Sequence, residues 1–193
     1  MKQITLLLIF CVSMAGTGFS QTQQVPEFKN TPMLLKKDGS LAKLEKQVAE
    51  VKTRVKGFSY GAKQLTFVNI LGENSPVTID PSDAQFIVKL PDAETDPETA
   101  WNLTKVIVAK KSRELELSES AAAIAMAYGG KGKSVKRDDV KLEFEKVEPG
   151  IYKFRPITPL IPGTEYALQN TIAGNASNTT LFLFGTTGTA PRK

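Results

Sequence analysis

Leu160-Ile161-Pro162-Gly163-Thr164-Glu165-Tyr166-Ala167-Leu168 decides the fold. Pro162 and Gly163 set a tight turn, Leu160 is spaced to enter a core, and an apolar strand starts at Tyr166. In Greek-key sandwiches a tyrosine at the start of a late strand turns its hydroxyl back onto the backbone a few residues upstream and closes the end of the sandwich. The spacing of Tyr166 behind Pro162-Gly163 suits that corner. It is a signal of fold and carries no function, because sandwiches host many activities.

Strand patterns extend outward from this corner. Tyr166 to Thr171 and Thr180 to Gly185 form one hairpin across a polar connection over 173–178. Upstream, Val140, Leu142 and Phe144 alternate with Lys141, Glu143 and Glu145, Glu148-Pro149-Gly150 turns the chain, and Tyr152 and Phe154 alternate with Lys153 and Arg155. That period of two marks the clearest hairpin of the chain. Ala84, Phe86, Val88 and Leu90 alternate with Gln85, Ile87 and Lys89, Leu103 to Ala109 does so less cleanly, and Leu65 to Ile70 is rich in β-branched residues before the turn at Gly72 to Pro76. Asp38-Gly39 is a hairpin signal between Met33-Leu34-Leu35 and the stretch that begins at Leu41. Leu41, Leu44, Val48, Val51 and Val55, however, fall at helical spacing. The hairpin is preferred, with a helix over 41–55 as the alternative. Ala121 to Ala127 favours helix by propensity and stops at Gly129-Gly130. The expected fold is mainly β: an antiparallel β-sandwich of immunoglobulin or fibronectin III type, with room for one or two short helices.

The form Leu-x-Pro-Gly-Thr-x-Tyr resembles the corner of fibronectin type III domains. The block from Ile151-Tyr152-Lys153-Phe154-Arg155-Pro156 through Pro162 to Ala167 and Leu181-Phe182-Leu183-Phe184-Gly185 is similar to a group of uncharacterised secreted proteins of Bacteroidetes-type bacteria, with Asp80-Pro81 to Leu90 and Arg113-Glu114-Leu115 more loosely so. In that group a Pro-Gly-Glu-Tyr-Ala-like corner precedes a closing strand ending in Phe-Gly, and here Thr164 interrupts the Pro-Gly-Glu run. The resemblance implies a β-sandwich and no activity.

The N-terminus reads as an export signal. Lys2 is the sole charge of residues 1–20, Ile4 to Phe10 is apolar but too short to span a bilayer, and small residues lead to Ser20. Cleavage is expected after Ser20, and Phe10 before Cys11 argues against a lipoprotein. The expected organisation is a signal peptide over 1–20, an N-terminal tether over 21–31, a single sandwich domain over 32–187 and a flexible tail over 188–193. Cleavage removes the only cysteine, so no disulfide or thiolate site remains. It also removes Lys2, which leaves 24 basic and 20 acidic residues, a net charge of +4. No later segment is apolar enough to cross a membrane as a helix. A disulfide-free exported chain suits a bacterial periplasm or cell surface, where the sequons at Asn102, Asn175 and Asn178 are coincidental.

The 193 residues contain no histidine. This excludes Ser-His and Cys-His nucleophiles, histidine bases and most catalytic zinc sites. Ala127-Tyr128-Gly129-Gly130-Lys131-Gly132-Lys133-Ser134 meets a permissive P-loop pattern, but strand-like alternation comes after it where a helix is needed, so it reads as a Gly/Lys loop. Asp92-Ala93-Glu94-Thr95-Asp96-Pro97-Glu98 places four carboxylates at alternate positions without a glycine to wrap calcium, and reads as a solvated acidic turn. Trp101 reads as a core or edge anchor. Catalytic, cofactor and metal-ligating residues are therefore expected to be absent. Tyr128, Lys131, Lys133, Lys136 and Arg137 form the one candidate site, a cationic loop for an anionic polymer. The expected function is an exported, non-catalytic binding or structural module whose partner is an anionic envelope polymer or another envelope protein, with no nucleic acid. The alternative is a histidine-free carboxylate hydrolase acting on polysaccharide, which needs two facing carboxylates in a cleft.

Overall fold

Strands make up most of the described residues. The computed structural model describes residues 24–56, 63–121, 133–134, 138–171 and 178–189. The first half carries β1 (Met33–Leu35), β2 (Leu41–Lys43), β3 (Glu45–Lys56), β4 (Lys63–Leu71), β5 (Thr78–Ile79) and β6 (Phe86–Lys89). The one-turn helix α1 (Pro97–Ala100) leads into β7 (Trp101–Lys105), β8 (Ile107–Val108), β9 (Ser112–Ala121) and β10 (Lys133–Ser134). The C-terminal part holds β11 (Asp139–Val140), β12 (Leu142–Glu148), β13 (Ile151–Pro156), β14 (Glu165–Asn170) and β15 (Asn178–Thr186).

Among the described residues these strands form two sheets. One runs β12-β13-β6-β1-β2; the other runs β10-β9-β4-β3-β15-β14-β7-β11, with β5 added to β15 and β8 to β9. Pairings are antiparallel except β5 with β15. The architecture is mainly β and sandwich-like. Phe86, Val88 and Phe154 of the smaller sheet pack on Trp101, Leu103, Tyr166, Leu168, Phe182 and Phe184 of the larger one.

The larger sheet is curled and owns a second core. Val106 alone separates β7 from β8, yet β7 pairs with β14 and β8 with β9. The two flanks of the sheet thus meet in one stretch of chain, closing a ring through β3, β4, β9, β8/β7, β14 and β15. Ala49, Val68, Ile70, Leu115, Ala167, Leu181 and Leu183 cluster on its inner side. Both faces of β14 and β15 are consequently buried, which explains the continuous apolar runs Tyr166-Ala167-Leu168 and Leu181 to Phe184.

The hairpin at Asp38-Gly39 forms. β1 pairs with β2, Gly39 sits at φ 80, and Asp38 accepts bonds from the Ser40 amide and hydroxyl. The helix alternative over 41–55 is overturned, because β15 and β4 supply ladders to both edges of β3 and tertiary pairing outweighs helical spacing. The helix expected over 121–127 lies outside the described residues apart from Ala121, which ends β9. The helix that is present, α1, is capped by Asp96 inside the acidic turn. Trp101 is a core anchor against Phe182. In the segment read as a tether, Lys29 and Asn30 bridge to Lys89 at the end of β6. Residues 1–23, with the expected signal and cleavage site, lie outside the described part.

The tyrosine corner is present. The Tyr166 hydroxyl accepts the Ile161 amide N–H at 3.0 Å, and its ring stacks on Phe184. Burial raises the Tyr166 hydroxyl above its usual pKa, so it stays protonated. Tyr166→Phe keeps the ring packed and removes the acceptor. It is expected to lower unfolding free energy by about 1–3 kcal/mol; an unchanged denaturation midpoint would show that the corner bond contributes nothing.

Candidate functional site

Of the five residues of the cationic loop, Tyr128, Lys131, Lys136 and Arg137 lie outside the described residues. Lys133 begins β10 and stands opposite Glu119 in the ladder with β9. Glu119 in turn stands opposite Leu65, and Leu65 opposite Arg54. The attachment point of the loop is therefore the ribbon β10-β9-β4-β3.

That ribbon has a cationic end. β15 covers β3 only as far as Glu50, while the ladder with β4 continues to Lys56 opposite Lys63. Lys52, Arg54 and Lys56 alternate along one face of β3, and directly paired Lys63 shares it. All four are exposed. Arg54 lies over the Phe67 ring at 4.5 Å and bonds the Glu114 carboxylate at 2.6 Å. Stacking and pairing fix its guanidinium, whereas Lys52 makes only a loose 3.8 Å contact with Glu50. Basic residues thus gather toward the tip and Glu50 and Glu114 toward the body, with Glu116 level with Lys52 and Glu119 level with Arg54.

A second constellation was not legible in the sequence. Arg113 is fully buried at one end of the ring. Its Nε donates to Gly72 O, Nη1 to Glu45 Oε2 and Glu165 Oε2, and Nη2 to Glu45 Oε1 and Leu71 O, over 2.8–3.2 Å. These five bonds use the five N–H donors of a guanidinium. Glu165 Oε2 also accepts the Ser75 amide, and Gln47 bonds Glu45 Oε1. Burial pushes the Glu45 carboxyl up, but hydrogen bonds from Arg113, Ser75 and Gln47 together with the Arg113 charge outweigh it and leave the group below its ordinary range. The cluster plugs the ring, and its arginine has no donor left for a ligand.

The acidic turn is internally bonded. Asp92 Oδ1 accepts from Glu94 N, Thr95 N and Thr95 Oγ1, which lowers the Asp92 carboxyl. Among the described residues no group of three or more His, Cys, Asp or Glu is placed to hold a metal ion. Two open hollows of about 400 and 390 Å³ mark the described surface. The first lies beside the Asp38-Gly39 turn and contains the Lys37–Asp83 ion pair at 2.8 Å. The second lies over the β12–β13 hairpin, where Glu143 faces Arg155 and Glu145 faces Lys153. Among the described residues no helix is long and apolar enough to cross a membrane. No protein-family model, curated protein or solved structure matches the chain.

Proposed function

We propose that the chain is an exported, non-catalytic binding module of a bacterial periplasm or cell surface, which contacts an anionic envelope polymer through the cationic loop and the ribbon end that carries it. The observation behind this reading is the register that sets Lys133 in one ladder with the strands bearing Lys52, Arg54, Lys56 and Lys63. A row of cations on a pleated face matches a polymer with repeated negative charge, and such attraction is long-ranged and non-stereospecific. The hydrolase alternative is less well supported: Glu45 and Glu165, the two carboxylates drawn together around Arg113, are both bonded to its guanidinium, whereas a carboxylate pair must flank a substrate.

Retention on an acidic-glycan or lipopolysaccharide resin tests this. The protein is expected to bind weakly and to elute as salt rises, because screening shortens to about 8 Å at physiological ionic strength. Replacing Lys131, Lys133, Lys136 and Arg137 by Ala is expected to remove most of the retention with little change in thermal stability, since loop charges contribute little to folding. Equal retention of parent and variant would sink the reading.

A further inference from the structure

Among the described residues several strands have a ladder partner on one side only, and two of these edges carry charges of opposite sign. β12 ends the smaller sheet, paired to β13 on one side only. Along it Glu143 and Glu145 are exposed, while Leu142 and Phe144 between them are half-buried. The other edge is the far half of β3. Beyond Glu50 it has β4 on one side, and no described residue pairs with its other side. There Lys52, Arg54 and Lys56 alternate with Val51, Thr53 and Val55, and Val55 is exposed. Over Leu142–Glu148 the first edge reads apolar-acidic-apolar-acidic-basic-apolar-acidic, and over Val51–Lys56 the second reads apolar-basic-polar-basic-apolar-basic.

From this we propose that the chain associates with a second copy of itself by strand addition, the β3 edge over Val51–Lys56 pairing with the β12 edge over Leu142–Glu148 of the next molecule. The N–H and C=O groups that no described residue pairs on these two edges supply the main-chain bonds. The period of two puts Lys52 and Arg54 on one face against Glu143 and Glu145, in either strand direction. The same register puts Thr53 against Phe144 on the other face. Pairing a strand with a copy of its own edge would instead oppose like charges, which is destabilising. The two edges are different surfaces, so the contact is head-to-tail and leaves each copy with one open edge of each kind. The product is a growing series of oligomers rather than a closed dimer. This inference does not rest on the polymer-binding reading.

Sedimentation velocity of the purified protein from micromolar to millimolar concentration tests it. A concentration-dependent series of species is expected. Glu143→Lys with Glu145→Lys is expected to remove the larger species, and so is Lys52→Glu with Arg54→Glu, the two residues that stand against Glu143 and Glu145 in the proposed register. Mixing the two variants restores complementary edges and is expected to restore the series, which damage to folding could not do. A parent that stays monomeric throughout, variants that associate as the parent does, or a mixture that stays monomeric would each overturn the proposal. The Glu143 and Glu145 exchange leaves the cationic loop untouched, so its result is separable from resin retention.

Discussion

Arg113→Leu is expected to lower the unfolding free energy by about 3–5 kcal/mol, the range for removing one partner of a buried ion pair. Leucine fills part of the space but leaves Glu45 and Glu165 facing each other at the end of the ring with their cation gone. It also removes the Arg113 donor from the Gly72 carbonyl and one of the two donors, Arg113 and Gln47, that reach the Leu71 carbonyl. A buried charge without its partner costs more than the intact cluster gains. Converting the whole cluster, with Glu45→Leu and Glu165→Met added, is therefore expected to recover most of the loss. Denaturant titration of the parent, single and triple variants reads this directly, and a single variant within about 1 kcal/mol of the parent would contradict the plug.

The pH profile carries the same prediction with a sign. The Glu45 pKa is lowered in the folded chain, so its contribution is present above the ordinary carboxylate range and is lost as pH falls through the lowered value. In Arg113→Leu the leading influence left on Glu45 is burial, which favours the protonated form. The loss of stability in acid is then expected to shrink or reverse relative to the parent. A variant merely loosened by poor packing would keep the parent's slope.

Period-two alternation was readable because most strands bury one face, and so were the turns at Asp38-Gly39 and Pro149-Gly150, where glycine takes positive φ. Tyr166 was readable because its corner is local: the partner is Ile161, five residues away. The plug was not, because its parts come from β3, β9 and β14, as much as 120 residues apart, and no spacing links them. A signal did exist. Glu165 opens a strand apolar on both faces, and Arg113 precedes Leu115 on the inward side of another; charges in such positions require partners. The curled ring left no local mark, since its closure depends on β7 and β8 taking partners on opposite sides of Val106. β3 misled for the opposite reason: Val48 and Val55, which completed the helical spacing, are both exposed.

Gly185→Ala is the second large effect expected from the plug, and its cause is steric. Gly185 stands opposite Glu165 in the β14–β15 ladder, and a Cβ there would lie 2.5 Å from Glu165 Oε1 and 3.3 Å from its Cδ. Alanine would suit the local backbone, since Gly185 is not among the positive-φ glycines. Glu165 cannot simply swing aside, because Oε2 is held by Arg113 and by the Ser75 amide at 3.0 Å each. Adding one methyl group thus either compresses the strand pair or pulls the carboxylate off both donors. Overpacking of this kind costs about 1–3 kcal/mol, or roughly 2–12 °C in melting temperature for a chain of this size. The decisive measurement is a double-mutant cycle with Glu165→Ala, which removes the atoms that the new Cβ would strike. In that background Gly185→Ala is expected to be nearly neutral, giving a coupling comparable to its full cost in the parent. Equal cost in both backgrounds would mean that the glycine serves the strand and not the carboxylate, and the plug would lose its explanation for why β15 ends its apolar run without a side chain.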